Sequence, residues 1–246
     1  MALLRRQKVI IISLLVYWPV LFVLAHIPIP QLVYKAQVSD KGLHFLAYLI
    51  LVFLLWFAIS SNKKVNWRKR AVWLVLFAVV WYGVADELLQ RYVGRSCDVR
   101  DFLADLAGTL AGLILFSFFS FWPVLLIVTG TAIFTLTNLI HANLDELVPI
   151  TNATFHLFGY GIFTILWIQN IHLFLPMKAA KPKWIIAALA LPTGFLLIVK
   201  SFSVIFGKDF GVRDALIAAA GITAVVVTTY LIALFRRRFT RVPYGL

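Results

Sequence analysis

A chain of 246 residues that is 62% hydrophobic and only 13% charged is not a soluble domain, in which charged residues run near 25%; no core of this size hides that much apolar surface, whereas lipid does. The net charge of +13 does not point to nucleic acid, because the basic residues stand in short clusters between apolar runs, where membrane topology places them. Cys97 is the single cysteine, so no internal disulfide can form.

In chain order, the first apolar run, Val9–Ile27, follows Arg5, Arg6 and Lys8. It is long for a signal peptide and lacks a small-x-small cleavage site, so it reads as a retained signal anchor. Seven further runs are each long enough to cross the ~30 Å hydrocarbon layer as a helix: roughly Leu43–Ser60, Ala71–Tyr92, Asp101–Ser120, Pro123–His141, Thr154–Leu175, Trp184–Phe206 and Asp214–Phe235. The stretch from Asp101 to His141 is too long for one span. It divides at Phe121-Trp122-Pro123, since proline ends helices and tryptophan favours the interface. The expected architecture is an all-α polytopic bundle of eight transmembrane helices.

With the N-terminus inside, the cytoplasmic segments hold fifteen of the 23 basic residues, in clusters at 5–8, 63–70, 178–183 and 236–241. That bias predicts both termini on the cytoplasmic side. All ten acids fall at the opposite ends of the spans, together with His26, His44, His141 and His156. Segregated acids do not set orientation, but they mark the face where binding or chemistry takes place.

The halves are related. Asp40-Lys41-Gly42-Leu43-His44-Phe45-Leu46-Ala47-Tyr48 resembles Asn152 to Tyr160, pairing His44 with His156 and Tyr48 with Tyr160. Gly94 to Asp101 resembles Gly207 to Asp214, and Gly108 matches Gly221. The consistent offsets predict two parallel four-helix repeats, 1–120 and 121–246, because an even number of spans per repeat preserves orientation.

The first repeat carries a polar cluster. Asp86, Glu87 and Gln90 end the third span, with Asp86 and Gln90 four apart and Glu87 and Gln90 three apart on shared helix faces. Asp98, Asp101 and Asp105 open the fourth span at spacings of three and four, forming one stripe that Gly108 and Gly112 continue. Arg91, Arg95 and Arg100 lie between and beside them, and His44 completes the candidate site. Asp98 and Asp101 also suit a helix cap and dipole, and Arg95 suits an ion pair with Glu87 or Asp101. Asp86, Glu87, Gln90 and Asp105 are harder to assign to structure alone, since ionisable groups within the membrane boundary are costly. In the second half the cluster is lost: Val199, Lys200 and Ser203 stand for Asp86, Glu87 and Gln90, Gly211 for Asp98, and Ala218 for Asp105. The second repeat is therefore expected to act as scaffold.

His44-x-x-x-Tyr48 after Asp40-Lys41, then Asp86-Glu87-x-x-Gln90, then Gly94-Arg95-x-x-Asp98-x-x-Asp101-x-x-x-Asp105-x-x-Gly108-x-x-x-Gly112, resembles the VanZ-like family over about residues 38–116, with the second half a worn copy. Asp105 departs from the family's more frequent asparagine. The resemblance implies a small polytopic envelope protein of the prokaryotic cytoplasmic membrane linked to glycopeptide (teicoplanin) tolerance.

Three functions fit the residues. The first is an envelope-accessory binding protein whose arginines hold an anionic lipid phosphate or the carboxylate of a lipid-linked precursor, while the acids and His44 orient those arginines or take the ligand's amines. The second is a membrane-embedded enzyme on a lipid-linked envelope substrate, with carboxylates holding a hard divalent cation and His44 as base. The third is a proton-coupled transporter. No nucleophile or metal motif of fixed spacing decides among them.

Overall fold

The computed structural model describes residues 5–26, 40–60, 63–93, 98–138, 149–175, 181–207 and 210–239. These residues form eight α-helices and no strand: α1 Arg5–His26, α2 Asp40–Ser60, α3 Arg70–Gln90, α4 Val99–Phe118, α5 Phe121–Asn138, α6 Pro149–Phe174, α7 Pro182–Ile205 and α8 Val212–Phe239. A 3-10 turn, Arg91–Val93, extends α3. Seven of the eight are long and apolar enough to cross a bilayer. The exception, α6, is long enough at 26 residues but is diluted by Asn152, His156, Gln169, Asn170 and His172. Two of its polar side chains bond back into their own helix, Thr164 to the Tyr160 carbonyl and Asn170 to that of Leu166. Leu15, Leu74 and Ile186 are about two-thirds exposed or more (68%, 67% and 71%). Water would penalise such surfaces, and acyl chains do not. The protein is a membrane-helical protein.

The break between α4 and α5 falls at Phe119 and Ser120, slightly before the expected division. Pro123 sits in the first turn of α5, where a missing N–H leaves no helical bond unmade.

Two compact units are present, Met1–Ala142 and Asn143–Leu246. In the first, α2 packs mainly on α4, with α1, α3 and α5 around it. Glycine makes the α2–α4 approach: a Cβ on Gly108 would lie 2.3 Å from the Phe45 carbonyl oxygen, and one on Gly112 would lie 2.5 Å from Val52 Cγ1. Small residues allow backbones to meet in this way where lipid supplies no hydrophobic drive between helices. Helix α1 runs antiparallel to α2, because Gln7 Nε2 donates to the Ala58 carbonyl at 2.7 Å and Tyr17 Oη to that of Ala47 at 2.9 Å. The core where α2, α4 and α5 meet is aromatic, with Phe53, Phe57, Phe116 and Phe121 ring to ring.

One end of this unit is basic and fastened by polar bonds. Trp56 Nε1 donates to the Lys63 carbonyl, Trp67 Nε1 to Ser117 Oγ, Trp73 Nε1 to the Trp67 carbonyl, and the Val65 N–H to the Phe116 carbonyl. The acids lie at the other end. In the second unit α8 packs mainly on α6, with α7 beside both. There a Cβ on Gly221 would lie 2.5 Å from the Leu157 carbonyl oxygen.

Candidate functional site

Each acid of the first unit is placed by its helix register. Asp86, Glu87 and Gln90 occupy the last turn of α3 and are all buried. Gln90 Nε2 donates to Asp86 Oδ2 at 3.0 Å, the contact that a four-residue spacing allows. On α4, Asp101 and Asp105 are buried, Asp105 at 1% exposure. His44 projects from α2, and its Nδ1 lies 2.9 Å from Asp105 Oδ1. That bond spans the α2–α4 contact that Gly108 makes close, so the glycine and the pair are one local arrangement.

Asp98 has a different place. It is the N-cap of α4, its carboxylate accepting the Arg100 backbone N–H at 2.8 Å, which meets one of the donors a helix start leaves over. Glu87 Oε2 accepts the Asp98 backbone N–H at 3.1 Å, tying the end of α3 to the start of α4. Asp101 has Lys41 at 3.7 Å, the lysine half-exposed. Arg91 and Arg100 are exposed at this same end. Arg95 lies outside the described residues.

Three of these groups converge further. One ligand atom from each of His44, Glu87 and Asp105 lies within 4.8 Å of the other two. Glu87 Oε1 and Asp105 Oδ2 are buried and meet no hydrogen-bond donor among the described residues, and a buried carboxylate oxygen without a donor is unusual enough to need a cause. The Tyr48 hydroxyl, from a residue 2% exposed, also has no partner. It borders the same space, since a Cβ on Gly83 would stand 3.4 Å from the Tyr48 hydroxyl and 3.6 Å from Asp105 Oδ2. Carboxylates, an imidazole and a phenol so placed suit either a ligand with several donors or a cation.

Thus His44, Asp86, Glu87, Gln90, Asp101 and Asp105 gather at one end of α2, α3 and α4, and Asp98 serves at the rim as a cap. The sequence pattern did not single out Gly83, and it put His26 at the acidic ends and Lys41 in the motif without giving either a role in the cluster. His26 Nδ1 is 2.8 Å from the Phe22 carbonyl and 3.8 Å from Asp86 Oδ1. Its signal was its position at the acidic end of α1, opposite the direction of α2.

The second unit carries a histidine of its own, His156, at 5% exposure. Phe210 packs against His156, the ring centroids 4.8 Å apart and the planes tilted by 53°. Lys200 Nζ donates to the Phe210 carbonyl, and the Phe210 N–H to Ser203 Oγ. Glu87 thus accepts a backbone N–H just before α4, and Lys200 donates to a backbone carbonyl just before α8.

Residues 7–120 match the VanZ/LLP1 family model. No curated protein and no solved structure matches the chain.

Proposed function

From a chain whose residues 7–120 are VanZ-like, we propose a binding protein of the prokaryotic cytoplasmic membrane that holds the anionic headgroup of an envelope lipid or lipid-linked precursor on its extracytoplasmic face and contributes to glycopeptide (teicoplanin) tolerance. The observation that carries it is a two-tiered end of the first unit. Lys41, Arg91 and Arg100 are exposed at the rim; below them Glu87 Oε1 and Asp105 Oδ2 are buried without donors among the described residues. A phosphate or carboxylate pairs with rim cations near the headgroup layer, while ligand hydroxyls or amines supply the donors that the buried oxygens want. In this reading the basic, tryptophan-fastened end faces the cytoplasm, as the distribution of lysine and arginine favours.

The second unit is read as a worn copy of α2–α4. Its support is the repeated contact of Gly108 on Phe45 and Gly221 on Leu157, whose partners lie 112 and 113 positions apart. It supplies scaffold and no acid cluster.

The test is lipid retention. Protein purified in mild detergent and presented with phosphatidylglycerol nanodiscs is expected to hold the anionic lipid, detected by native mass spectrometry, and the triple variant Lys41→Ala, Arg91→Ala, Arg100→Ala to lose most of it. Equal retention by the folded triple variant would remove the rim from the proposal. A second reading, a membrane-embedded enzyme on a lipid-linked substrate, draws on the 2.9 Å His44–Asp105 pair, because a carboxylate that fixes an imidazole's orientation suits it for proton transfer. Turnover of a lipid-linked phosphate by purified protein, lost in His44→Gln, would favour that reading.

A further inference from the structure

We infer that His44, Glu87 and Asp105 form a binding site for one first-row divalent cation, of the Mn2+ or Zn2+ class, at the acidic end of the first unit. The inference deepens the reading of this cluster as functional, and it stands on geometry separate from the lysine and arginines of the rim.

The first ground is donor convergence. The three ligand atoms come from three helices, α2, α3 and α4, and lie within 4.8 Å of one another. A cation about 2.1 Å from each donor requires them to stand roughly 3–4 Å apart. Binding would draw the three side chains together by that difference. The second ground is the state of the oxygens. Glu87 Oε2 and Asp105 Oδ1 are engaged, by the Asp98 N–H and by His44, leaving Oε1 and Oδ2 buried with no donor among the described residues. Each residue thus has one oxygen that orients it and one that faces nothing positive, the division seen when an outer partner aims a ligand.

The third ground is space. Glycine at position 83 leaves room beside Asp105 Oδ2 and the Tyr48 hydroxyl that a methyl group would enter at ordinary contact distance. A water bound to the cation fits there and accepts or donates to Tyr48, which otherwise lacks a partner. Charge balance points the same way. Among the described residues, Asp86 has His26 nearby and Asp101 has Lys41, whereas Glu87 and Asp105 have the His44 imidazole, which alone cannot neutralise two buried carboxylates. One nitrogen with two oxygens favours Mn2+ or Zn2+ over Ca2+ and Mg2+, which take oxygen ligands throughout.

The second unit provides an internal contrast. Where Glu87 and Asp105 stand in the first, it has Lys200 and Ala218, and Phe210 lies against its histidine, so the triad has no counterpart there among the described residues.

The experiment uses the full chain in detergent, stripped with EDTA and titrated with Mn2+ while electron paramagnetic resonance follows the free ion. The expected result is one tightly held Mn2+ per chain, displaced by Zn2+, with affinity falling about 100-fold or more in Glu87→Gln and His44→Gln. Asp101→Asn, at the same end but outside the triad, is expected to bind Mn2+ within a few-fold of the unaltered protein. Glu87→Gln retains an acceptor for the Asp98 N–H and removes a buried charge, so it is expected to fold, which an unchanged melting temperature in detergent checks without any ligand. Asp105→Asn, of the same size, is the second variant and is expected to weaken binding as well. Failure of the unaltered chain to bind either ion below millimolar concentration, or unchanged binding in both Glu87→Gln and Asp105→Asn, would overturn the site. Lipid retention in the presence of either failure would leave the binding function standing without the cation.

Discussion

Replacing Gly108 by alanine tests the claim that one helix contact builds both the fold and the site. The added Cβ would stand 2.3 Å from the Phe45 carbonyl oxygen, 3.1 Å from its carbon and 3.2 Å from the Leu49 nitrogen. All three are backbone atoms, so no side-chain rotation relieves the clash, and α4 must retreat from α2 by about 1 Å to restore van der Waals contact. Overpacking of this kind costs about 1–3 kcal/mol, offset by about 0.5–1 kcal/mol because alanine is a better helix residue than glycine. The net loss is therefore modest, but the site is less forgiving. His44 and Asp105, 2.9 Å apart, flank the clash on the same two helices, and a 1 Å retreat carries them beyond hydrogen-bonding distance. Gly221→Ala provides the control, since its Cβ would meet the Leu157 carbonyl oxygen at 2.5 Å in a unit without the acids. Both variants are expected to melt a few degrees lower in detergent, while Gly108→Ala alone loses Mn2+ affinity. Normal Mn2+ binding in Gly108→Ala, or equal loss in Gly221→Ala, would refute the coupling.

In a Cys97→Ser background, Val99→Cys and Val212→Cys are expected to react with an impermeant thiol reagent added outside cells, and Lys64→Cys and Lys181→Cys only after permeabilisation; the reverse pattern would invert the orientation. Glu87→Gln is expected to abolish the cellular phenotype at normal protein levels, whereas Lys200→Gln removes only a bond to the Phe210 carbonyl and affects stability alone, as thermal melts beside a teicoplanin susceptibility assay would show. Trp67→Phe deletes the indole bond to Ser117 and is expected to cost about 0.5–1.5 kcal/mol of stability while leaving Mn2+ affinity unchanged.

The eight helices were legible because apolar runs of spanning length leave little choice of structure in lipid. Their ends were less so. Pro123 looked like a boundary, yet a proline within a first turn and one just beyond a last turn read alike until the backbone is seen. The acidic stripe of α4 and the Asp86–Gln90 pair followed from helical spacing, because residues three or four apart must share a face. Spacing carries no information about which stripe faces which, so the meeting of His44 with Asp105 across 61 positions rested on pattern rather than geometry. The role of Asp98 as a cap was legible as an alternative, since an acid preceding an apolar helix suits that place. The roles of Lys41 and Gly83 in the cluster were invisible because a lone lysine beside a helix start and a glycine in mid-helix have many commoner uses.

The tryptophan bonds of the basic end give the first unit a mechanical polarity. At that end three indoles and a backbone N–H lock loops onto neighbouring helices through the chain's own groups. At the acidic end the helices are joined largely through carboxylates and an imidazole, whose mutual attraction depends on what charge is added between them. On the proposed cation site, such a bundle is expected to behave as a clamp with a fixed pivot and adjustable jaws. Amide hydrogen exchange should accordingly be slow around Val65 and Ser117 under all conditions, and should slow at the last turn of α3 and the first of α4 only when the jaws are loaded, so that occupancy of the site is written into the stiffness of one end of the protein.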